Sequence, residues 1–184
     1  MRQSKLAVLV STALLISGCL GGYPVEGPAT IYDSNRPYAL PFEKGYAADL
    51  YQGYFGTLSH EGEYSLDFLM PIGTRVLAAR AGIIEKVVES NTSTCPITKN
   101  CEANYIYLRH SDGTQARYIH IDTNGACVQV GELVDQGDVI ALSGHIGISS
   151  LPHLHFQVVS ANPNQLSSED KPAFRDVNNQ GTGF

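Results

Sequence analysis

Short apolar runs separated by turn residues dominate the chain from Ala47 onward. Successive side chains of a β-strand point to opposite faces, so runs of alternating apolar and polar residues predict half-buried strands. No segment keeps the three- and four-residue spacing of a long amphipathic helix. The predicted strands are Ser65–Met70, Arg75–Ala79, Gly82–Glu89, Asn104–His110, Thr114–Ile121, Val128–Val130, Val139–Ser143 and His153–Val159.

The length and spacing of these runs predict an all-β domain with little helix, arranged as an antiparallel β-sandwich or barrel. Asp112-Gly113 lies between two alternating runs and is typical of a tight hairpin turn. Glycine precedes a β-branched run at Gly73–Ala78 and again at Gly131–Ala141, and the second segment resembles the hairpins of biotinyl and lipoyl carrier domains. The resemblance implies a duplicated, hybrid type of fold. No hairpin tip carries the lysine to which those carriers attach their prosthetic group.

The chain divides into four predicted parts. Residues 1–18 form a leader, and residues 19–46 are rich in glycine and proline and are predicted to be a tether and leading arm. Residues 47–160 hold the predicted strands and are long enough for one domain with a real core. Residues 161–184 are polar and irregular and are predicted to be a surface tail.

The leader has the features of an export signal. Arg2 and Lys5 precede an uncharged apolar run, Leu6–Ile16, which is too short to span a bilayer. The run ends in Ile16-Ser17-Gly18-Cys19, which resembles the lipobox of bacterial lipoproteins. That resemblance implies cleavage before Cys19, a lipid on its thiol, and, with Leu20 next, anchoring at the periplasmic face of the outer membrane. The alternative is an ordinary signal peptide with an incidental cysteine.

The charge of the chain limits its partners. The formal net charge is −6, and removal of Arg2 and Lys5 with the leader takes it to −8. An acidic chain without a basic run is a poor match for the phosphates of a nucleic acid. We therefore expect no nucleic-acid partner, and we expect a monomer.

Three cysteines remain after Cys19. Cys95 and Cys101 flank a five-residue loop and are predicted to form a disulfide, which would persist in an oxidising compartment. Closing so short a loop would contribute at most about 2 to 3 kcal/mol. The spacing does not fit a metal-binding CxxC pair. Cys127 is predicted to be a small buried residue, and its pairing with Cys95 or Cys101 stays open.

The histidines carry the chemistry. In Pro152-His153-Leu154-His155-Phe156, the alternation of a strand places His153 and His155 on one face and directs Leu154 and Phe156 into a core. Two imidazoles on one face, with His60 and Asp67 from elsewhere, are the ligand chemistry of a catalytic zinc site, which keeps one position open for water.

The other histidines have weaker signals. In Tyr118-Ile119-His120, the same alternation places Tyr118 and His120 on one face and aims both toward a cleft. His110 and His145 are expected to be hydrogen-bonded structural residues, because neither has a local partner of a catalytic kind.

Taken together and in this order, the motifs resemble the lysostaphin-type, or LytM-like, zinc metallopeptidases that cut peptidoglycan cross-links. The resemblance covers roughly residues 55 to 160. The matching elements are His60 with Asp67, Asp67–Ala79, Gly82–Ile84, His110–Thr114, Tyr118–His120, Gly131–Ile140 and Pro152–Phe156.

The resemblance implies a role for each residue. His60, Asp67 and His155 would bind one zinc ion, and His120 and His153 would be the catalytic pair beside it. The chain departs from the short family form in one respect, because Asp67 follows His60 by seven residues rather than four. A family branch with an insertion before Tyr-x-x-Asp-Phe matches the segment that starts at Tyr64.

The implied function is a zinc-dependent endopeptidase that hydrolyses peptide bonds in peptidoglycan cross-links at the cell envelope. The chain has no HExxH glutamate, so His120 and His153 would orient and deprotonate the water or stabilise the oxyanion. The alternative is a non-catalytic LytM-like regulator that binds and activates cell-wall amidases. Such regulators lack one or more of these histidines, whereas this chain has them all.

Overall fold

The structure is a computed structural model of the 184-residue chain, and it describes Cys19 and residues 38–160. The predicted leader, residues 1–18, and the predicted tail, residues 161–184, lie outside the described residues. Within the described part there is no helix, and hence none that could cross a membrane. Its strands are β1 Leu50–Gln52, β2 Ser65–Leu69, β3 Arg75–Leu77, β4 Gly82–Val88, β5 Thr94–Cys95, β6 Tyr105–Arg109, β7 Gln115–Ile119, β8 Ile121–Ala126, β9 Leu133–Val134, β10 Val139–Ser143, β11 Gly147–Ile148 and β12 His153–Val159.

Two antiparallel sheets enclose the core. The larger sheet has the strand order β1-β2-β12-β7-β6-β4-β9, and the smaller has the order β3-β10-β8. One continuous hydrophobic cluster takes side chains from both sheets. A third, two-stranded element pairs β11 with β5 in parallel. The predicted all-β, antiparallel fold is therefore confirmed, whereas its relation to the duplicated carrier domains stays a prediction.

The alternation of side chains separates the core from the site. On β12, Leu154 and Phe156 are fully buried in the core, while His153 and His155 point to the opposite face. Tyr118 links the two sides of the core, because its hydroxyl oxygen accepts a hydrogen bond from the backbone N–H of Ala79 at 2.8 Å. Burial raises the pKa of Tyr118, so the hydroxyl stays neutral.

The strand boundaries follow the prediction where the runs are long. The Asp112-Gly113 hairpin forms between β6 and β7, with His110 N–H donating to the Thr114 carbonyl at 2.9 Å and Gly113 at φ 85°. The predicted strand Val128–Val130 does not form, because the chain pairs earlier, in β8. β1, β5, β9 and β11 have no counterpart among the predicted strands, since two or three residues are too few to show a period.

The domain begins before the predicted boundary at residue 47. Tyr38 and Phe42 belong to the hydrophobic core, and the Phe42 ring packs against Phe68 with centroids 5.2 Å apart. Two backbone hydrogen bonds attach this segment to the end of β3 and the residues that follow it. They are Ala39 N–H to Ala79 O and Leu77 N–H to Pro41 O. Residues 38–46 are therefore part of the domain and not a free arm. The prolines around them led to the prediction of an irregular arm, but their aromatic side chains are buried in the core.

All four cysteines are paired. The structure joins Cys95 to Cys101, the pair that the sequence predicts. It also joins Cys19 to Cys127 across 108 positions of sequence. A sulfur atom in a disulfide cannot also carry a thioether-linked lipid. The lipidation of Cys19 stays a prediction, and it would require the bond to Cys127 to be absent. The prediction that Cys127 is unpaired, or bonded to Cys95 or Cys101, is wrong.

The Cys19–Cys127 bond can be tested by counting free thiols and by peptide mapping. The processed protein, isolated without reductant and then denatured, should show no free thiol in an Ellman titration, and peptide mapping should recover the Cys19 peptide linked to Cys127. A Cys127→Ser variant should expose a single thiol at Cys19. If the isolated wild type instead shows one free thiol at Cys127 and takes up labelled fatty acid, the pairing described here is wrong.

Candidate metal centre

The three predicted metal ligands lie close together on one face of the large sheet. Asp67 and His155 are direct partners across the antiparallel pair β2·β12, so their side chains lie side by side on the face away from the core. His60 arrives from the loop that precedes β2 and is completely buried. Asp67 Oδ1 lies 2.9 Å from His155 Nδ1 and 3.2 Å from His60 Nε2, and the two imidazole nitrogens are 3.2 Å apart.

These three atoms fit a tetrahedral metal ion. Ligand atoms at about 2.0 to 2.2 Å from zinc in tetrahedral geometry are separated from one another by roughly 3.3 Å, close to the three distances observed. Two imidazole nitrogens and one carboxylate oxygen are ligands that zinc prefers in proteins. Three protein ligands would leave the fourth position of a tetrahedral ion for water. The residues present therefore fit the zinc ion that the sequence predicts.

Hydrogen bonds behind the ligands fix their orientation. His60 Nδ1 donates to the Gly53 carbonyl at 3.0 Å, which leaves the lone pair of Nε2 directed at the metal position. Asp67 Oδ2 accepts from Gln52 Nε2 at 3.2 Å. A proton or a cation must occupy the space between the three facing atoms, because their lone pairs would otherwise repel one another.

Gln52 connects Asp67 to the loop that carries His60. Its Nε2 also donates to Ser59 Oγ at 2.9 Å, and its Oε1 accepts from the backbone N–H groups of Leu58 and Ser59 at 2.9 and 3.2 Å. A Cβ atom at Gly56 would collide with the Gln52 side chain, so glycine makes room for it. The sequence gives no signal for Gln52, because β1 is too short to predict.

The electrostatics of the centre favour a cation. Burial alone would raise the pKa of Asp67, but hydrogen bonds from His155 and His60 outweigh it and hold that pKa well below its usual range. Burial alone would lower the pKa of His60, but the hydrogen bond to Asp67 raises it above its usual value. The carboxylate is therefore ionised at neutral pH, and positive charge is stabilised beside it.

The two predicted catalytic histidines stand next to this centre. His120 and His153 face one another with ring centroids 4.6 Å apart. His120 Nδ1 donates to the Ile146 carbonyl at 2.7 Å, and His153 Nδ1 donates to the Leu151 carbonyl at 2.7 Å. His153 Nε2 lies 3.6 Å from Asp67 Oδ1. Asp67, His120, His153 and His155 thus line one cleft, and the buried His60 contacts Asp67 and His155 from behind it.

A break in the strand puts His120 there. His120 lies between β7 and β8 at φ 68°, a left-handed conformation that residues other than glycine rarely adopt. This turn reverses the alternation, so that Tyr118 points into the core while His120 points into the cleft. The prediction that the two share a face is therefore wrong. The cost of such a backbone conformation is of order 1 to 3 kcal/mol and is typical of functional sites.

Both histidines are neutral at neutral pH. Burial lowers the pKa of His120 to about 4, with a smaller contribution from His153. Burial also lowers the pKa of His153. Because each Nδ1 donates to a carbonyl, the neutral ring has its lone pair on Nε2. Each ring can therefore accept a proton at Nε2, the atom that is free of backbone partners.

The remaining histidines lie outside the cleft, as expected. His110 Nδ1 donates to the Ala81 carbonyl at 2.8 Å, and burial lowers its pKa to about 4. His145 has its Nε2 3.2 Å from the Ser149 carbonyl. Both are held by backbone carbonyl groups, and neither lines the cleft.

Several exposed apolar side chains stand around the cleft. Leu58 and Ile97 are more than half exposed, and Tyr51 lies with its ring centroid 6.4 Å from that of His153. With Ile148, these side chains surround the site residues. Tyr51 and Ile97 carry no motif that would mark them in the sequence, since they reach the cleft only through the fold.

Comparison with known proteins gives a consistent family. The family described as Peptidase family M23 matches residues 61–167. The chain is 33% identical over 91 residues to the peptidoglycan DD-endopeptidase ShyC of Vibrio cholerae, which covers 50% of this chain and 18% of that protein. It is 32% identical over 151 residues to lysostaphin of Staphylococcus simulans, which covers 81% of this chain and 28% of that protein.

A solved structure supports the same conclusion. The crystal structure of a zinc-containing peptidase from Vibrio cholerae superposes with a TM-score of 0.53 at 27% identity, over 68% of this chain and 37% of that one. The chain thus spans about a fifth to a third of the length of the curated relatives named above.

The contacts of Gln52 predict its effect on metal binding. Gln52→Ala should weaken zinc binding by about 10- to 100-fold, because it frees both Asp67 and the loop that holds His60. Zinc release to a fluorescent chelator measures this directly. Gln115→Ala is a matched control, since Gln115 is an equally buried glutamine on the same sheet that does not contact the ligands. Equal zinc affinity in the Gln52→Ala variant and the wild type would show that Gln52 does not support the centre.

Proposed function

The chain belongs to peptidase family M23, and from this membership and the geometry of its site we propose that it is a zinc-dependent endopeptidase acting on peptidoglycan cross-links. One observation carries the proposal, namely that His60, Asp67 and His155 converge on one metal position with His120 and His153 beside it. Loss of any of these side chains would favour a binding role, and the chain retains all five.

The proposed roles follow from the hydrogen bonds. His60, Asp67 and His155 would hold the zinc ion, which when bound polarises the scissile carbonyl and activates the attacking water. His120 and His153 each present a neutral Nε2 to the cleft, so either can take the proton of the water and then donate that proton from Nε2 to the leaving amine, while the lone pair of the other ring accepts a hydrogen bond that orients the water. Their fixed Nδ1–H groups keep both rings in the productive tautomer.

The substrate class is proposed from the relatives. ShyC and ShyB are named peptidoglycan DD-endopeptidases, and ALE-1 of Staphylococcus capitis is named a glycyl-glycine endopeptidase. All these names describe hydrolysis of peptide bonds, so we propose that a peptide cross-link of the cell wall is the substrate here. Action at the cell envelope agrees with the predicted export signal and with the disulfides, which need an oxidising compartment.

Digestion of purified sacculi tests the activity. The zinc-loaded protein should release un-cross-linked muropeptides, identified by mass spectrometry through a new amino terminus at the cleaved cross-link. Asp67→Asn is the matched control, because it keeps the shape of the side chain and removes the charge that binds the metal. A protein that leaves sacculi intact but stimulates an added cell-wall amidase would be a regulator, and the proposal would be wrong.

The roles of the histidines can be separated. His155→Ala should lose both zinc and activity, because it removes a ligand. His120→Ala and His153→Ala should keep about one zinc per chain while the rate of cleavage falls by about 10²- to 10⁴-fold, the usual contribution of acid–base catalysis. Zinc analysis and cleavage of a cross-linked muropeptide give both quantities. Retained zinc in His155→Ala together with loss of zinc in His153→Ala would reverse the assigned roles.

A further inference from the structure

The loop closed by the Cys95–Cys101 disulfide is bound to one wall of the cleft. The parallel pair β5·β11 aligns Thr94 with Gly147 and Cys95 with Ile148. Gly147 N–H donates to the Ser93 carbonyl at 2.9 Å, and Ser149 N–H donates to the Cys95 carbonyl at 3.1 Å. The Thr94 hydroxyl adds a hydrogen bond to the His145 carbonyl. Hydrogen bonds thus join the start of the disulfide loop, residues 95–101, to residues 145–151, which we call the orienting segment.

The orienting segment holds both predicted catalytic histidines. Its Ile146 carbonyl accepts from His120 Nδ1, and its Leu151 carbonyl accepts from His153 Nδ1. Ser149 Oγ lies 3.1 Å from His153 Nδ1 as well. The same short segment therefore sets the tautomer and the direction of both rings, although the rings come from different strands.

The base of the disulfide loop supports the same residues from behind. Asn91 and Asn104 close the base, with Asn104 Nδ2 donating to the Asn91 carbonyl at 2.9 Å. The Asn104 carbonyl accepts from the backbone N–H of His120 at 2.9 Å. Gly147, at φ 102°, lies so close to Ala103 that a Cβ atom would stand 2.8 Å from the Ala103 Cα. Movement of the loop would therefore be transmitted to the orienting segment.

The metal ligands are supported from the opposite wall. His60 is held by the Gly53 carbonyl and Asp67 by Gln52, and neither contact involves the disulfide loop or the orienting segment. The two walls thus have separate tasks. One wall supports the residues that would bind zinc, and the other supports the residues that would move protons.

We propose that the Cys95–Cys101 disulfide is a positioning element, which holds the orienting segment so that His120 and His153 keep Nε2 directed at the substrate. The proposal rests on the endopeptidase function proposed above. β5 has only two residues, so few hydrogen bonds hold it against β11. Without the cross-link, the exposed loop that follows β5 would open more easily and weaken this pairing. The disulfide would then control catalysis without controlling metal binding.

The double variant Cys95→Ser/Cys101→Ser tests the proposal in the full chain. Its kcat on a cross-linked muropeptide should fall by about 10- to 100-fold, the scale expected when catalytic groups lose their alignment. Its zinc content should stay at about one per chain, and any rise in KM should be smaller than the fall in kcat. The matched control is Cys19→Ser/Cys127→Ser, which removes the other disulfide, at the far end of β8 from His120, and should keep the wild-type kcat.

A second readout does not depend on activity. Long-range ¹H–¹⁵N NMR spectra report which ring nitrogen carries the proton, and the wild type should show His120 and His153 as Nδ1–H tautomers. In Cys95→Ser/Cys101→Ser, both rings should shift toward a mixture with the Nε2–H tautomer. If the wild type failed to cleave sacculi, the proposed function would be wrong, and this measurement would still decide whether the disulfide positions the rings.

Thr94→Val provides a milder test should the double variant fail to fold. It keeps the disulfide and removes one hydrogen bond to the orienting segment, so the same changes in kcat and tautomer should appear in reduced size. Unchanged kcat and unchanged tautomers in the folded variants would overturn the proposal. An effect confined to KM would overturn it too, since it would mean that the loop only contacts substrate through Ile97.

Discussion

The direct pairing of Asp67 with His155 across β2 and β12 is the constraint on which the site and the core both depend. A shift of that register by one residue would move Leu154 and Phe156 out of the core and carry the histidines into it. The buried carboxylate is tolerated because histidines surround it, and burial without them would disfavour its charge. One strand register therefore places the metal ligands and closes the hydrophobic core, so neither can change without the other.

Backbone carbonyl groups orient the histidine rings of the site. Three of the site histidines, His60, His120 and His153, donate Nδ1–H to a main-chain oxygen and keep Nε2 for chemistry. The carbonyls belong to two different walls of the cleft. Gln52 ties the ligand side together, and the orienting segment ties the proton-transfer side together. This division explains how the site holds its imidazole rings in fixed and different orientations.

The sequence and the structure agree most closely where a periodic pattern meets a chemical motif. The alternation in β12 was sufficient to place His153 and His155 on one face, and the long runs gave the antiparallel pairs of the large sheet. Agreement ended where the backbone departs from regular geometry. The left-handed conformation at His120 reverses the faces of Tyr118 and His120, and a strand period contains no information about such a turn. The sequence likewise did not identify Tyr38 and Phe42 as core residues, because they lie among prolines in a segment without a periodic pattern.

By itself, the amino-acid sequence determined the all-β class, the hairpin at Asp112-Gly113, the choice of the five residues proposed for the site and the family resemblance, because each depends on local spacing or on residue chemistry. Only the tertiary structure decided what supports those residues. Gln52, Gly53 and the carbonyls of Ile146 and Leu151 act through long-range contacts, and main-chain oxygens have no signature in a sequence. The pairing of Cys19 with Cys127 likewise depends on which distant segments the fold brings together, since connectivity cannot be deduced from cysteine positions alone.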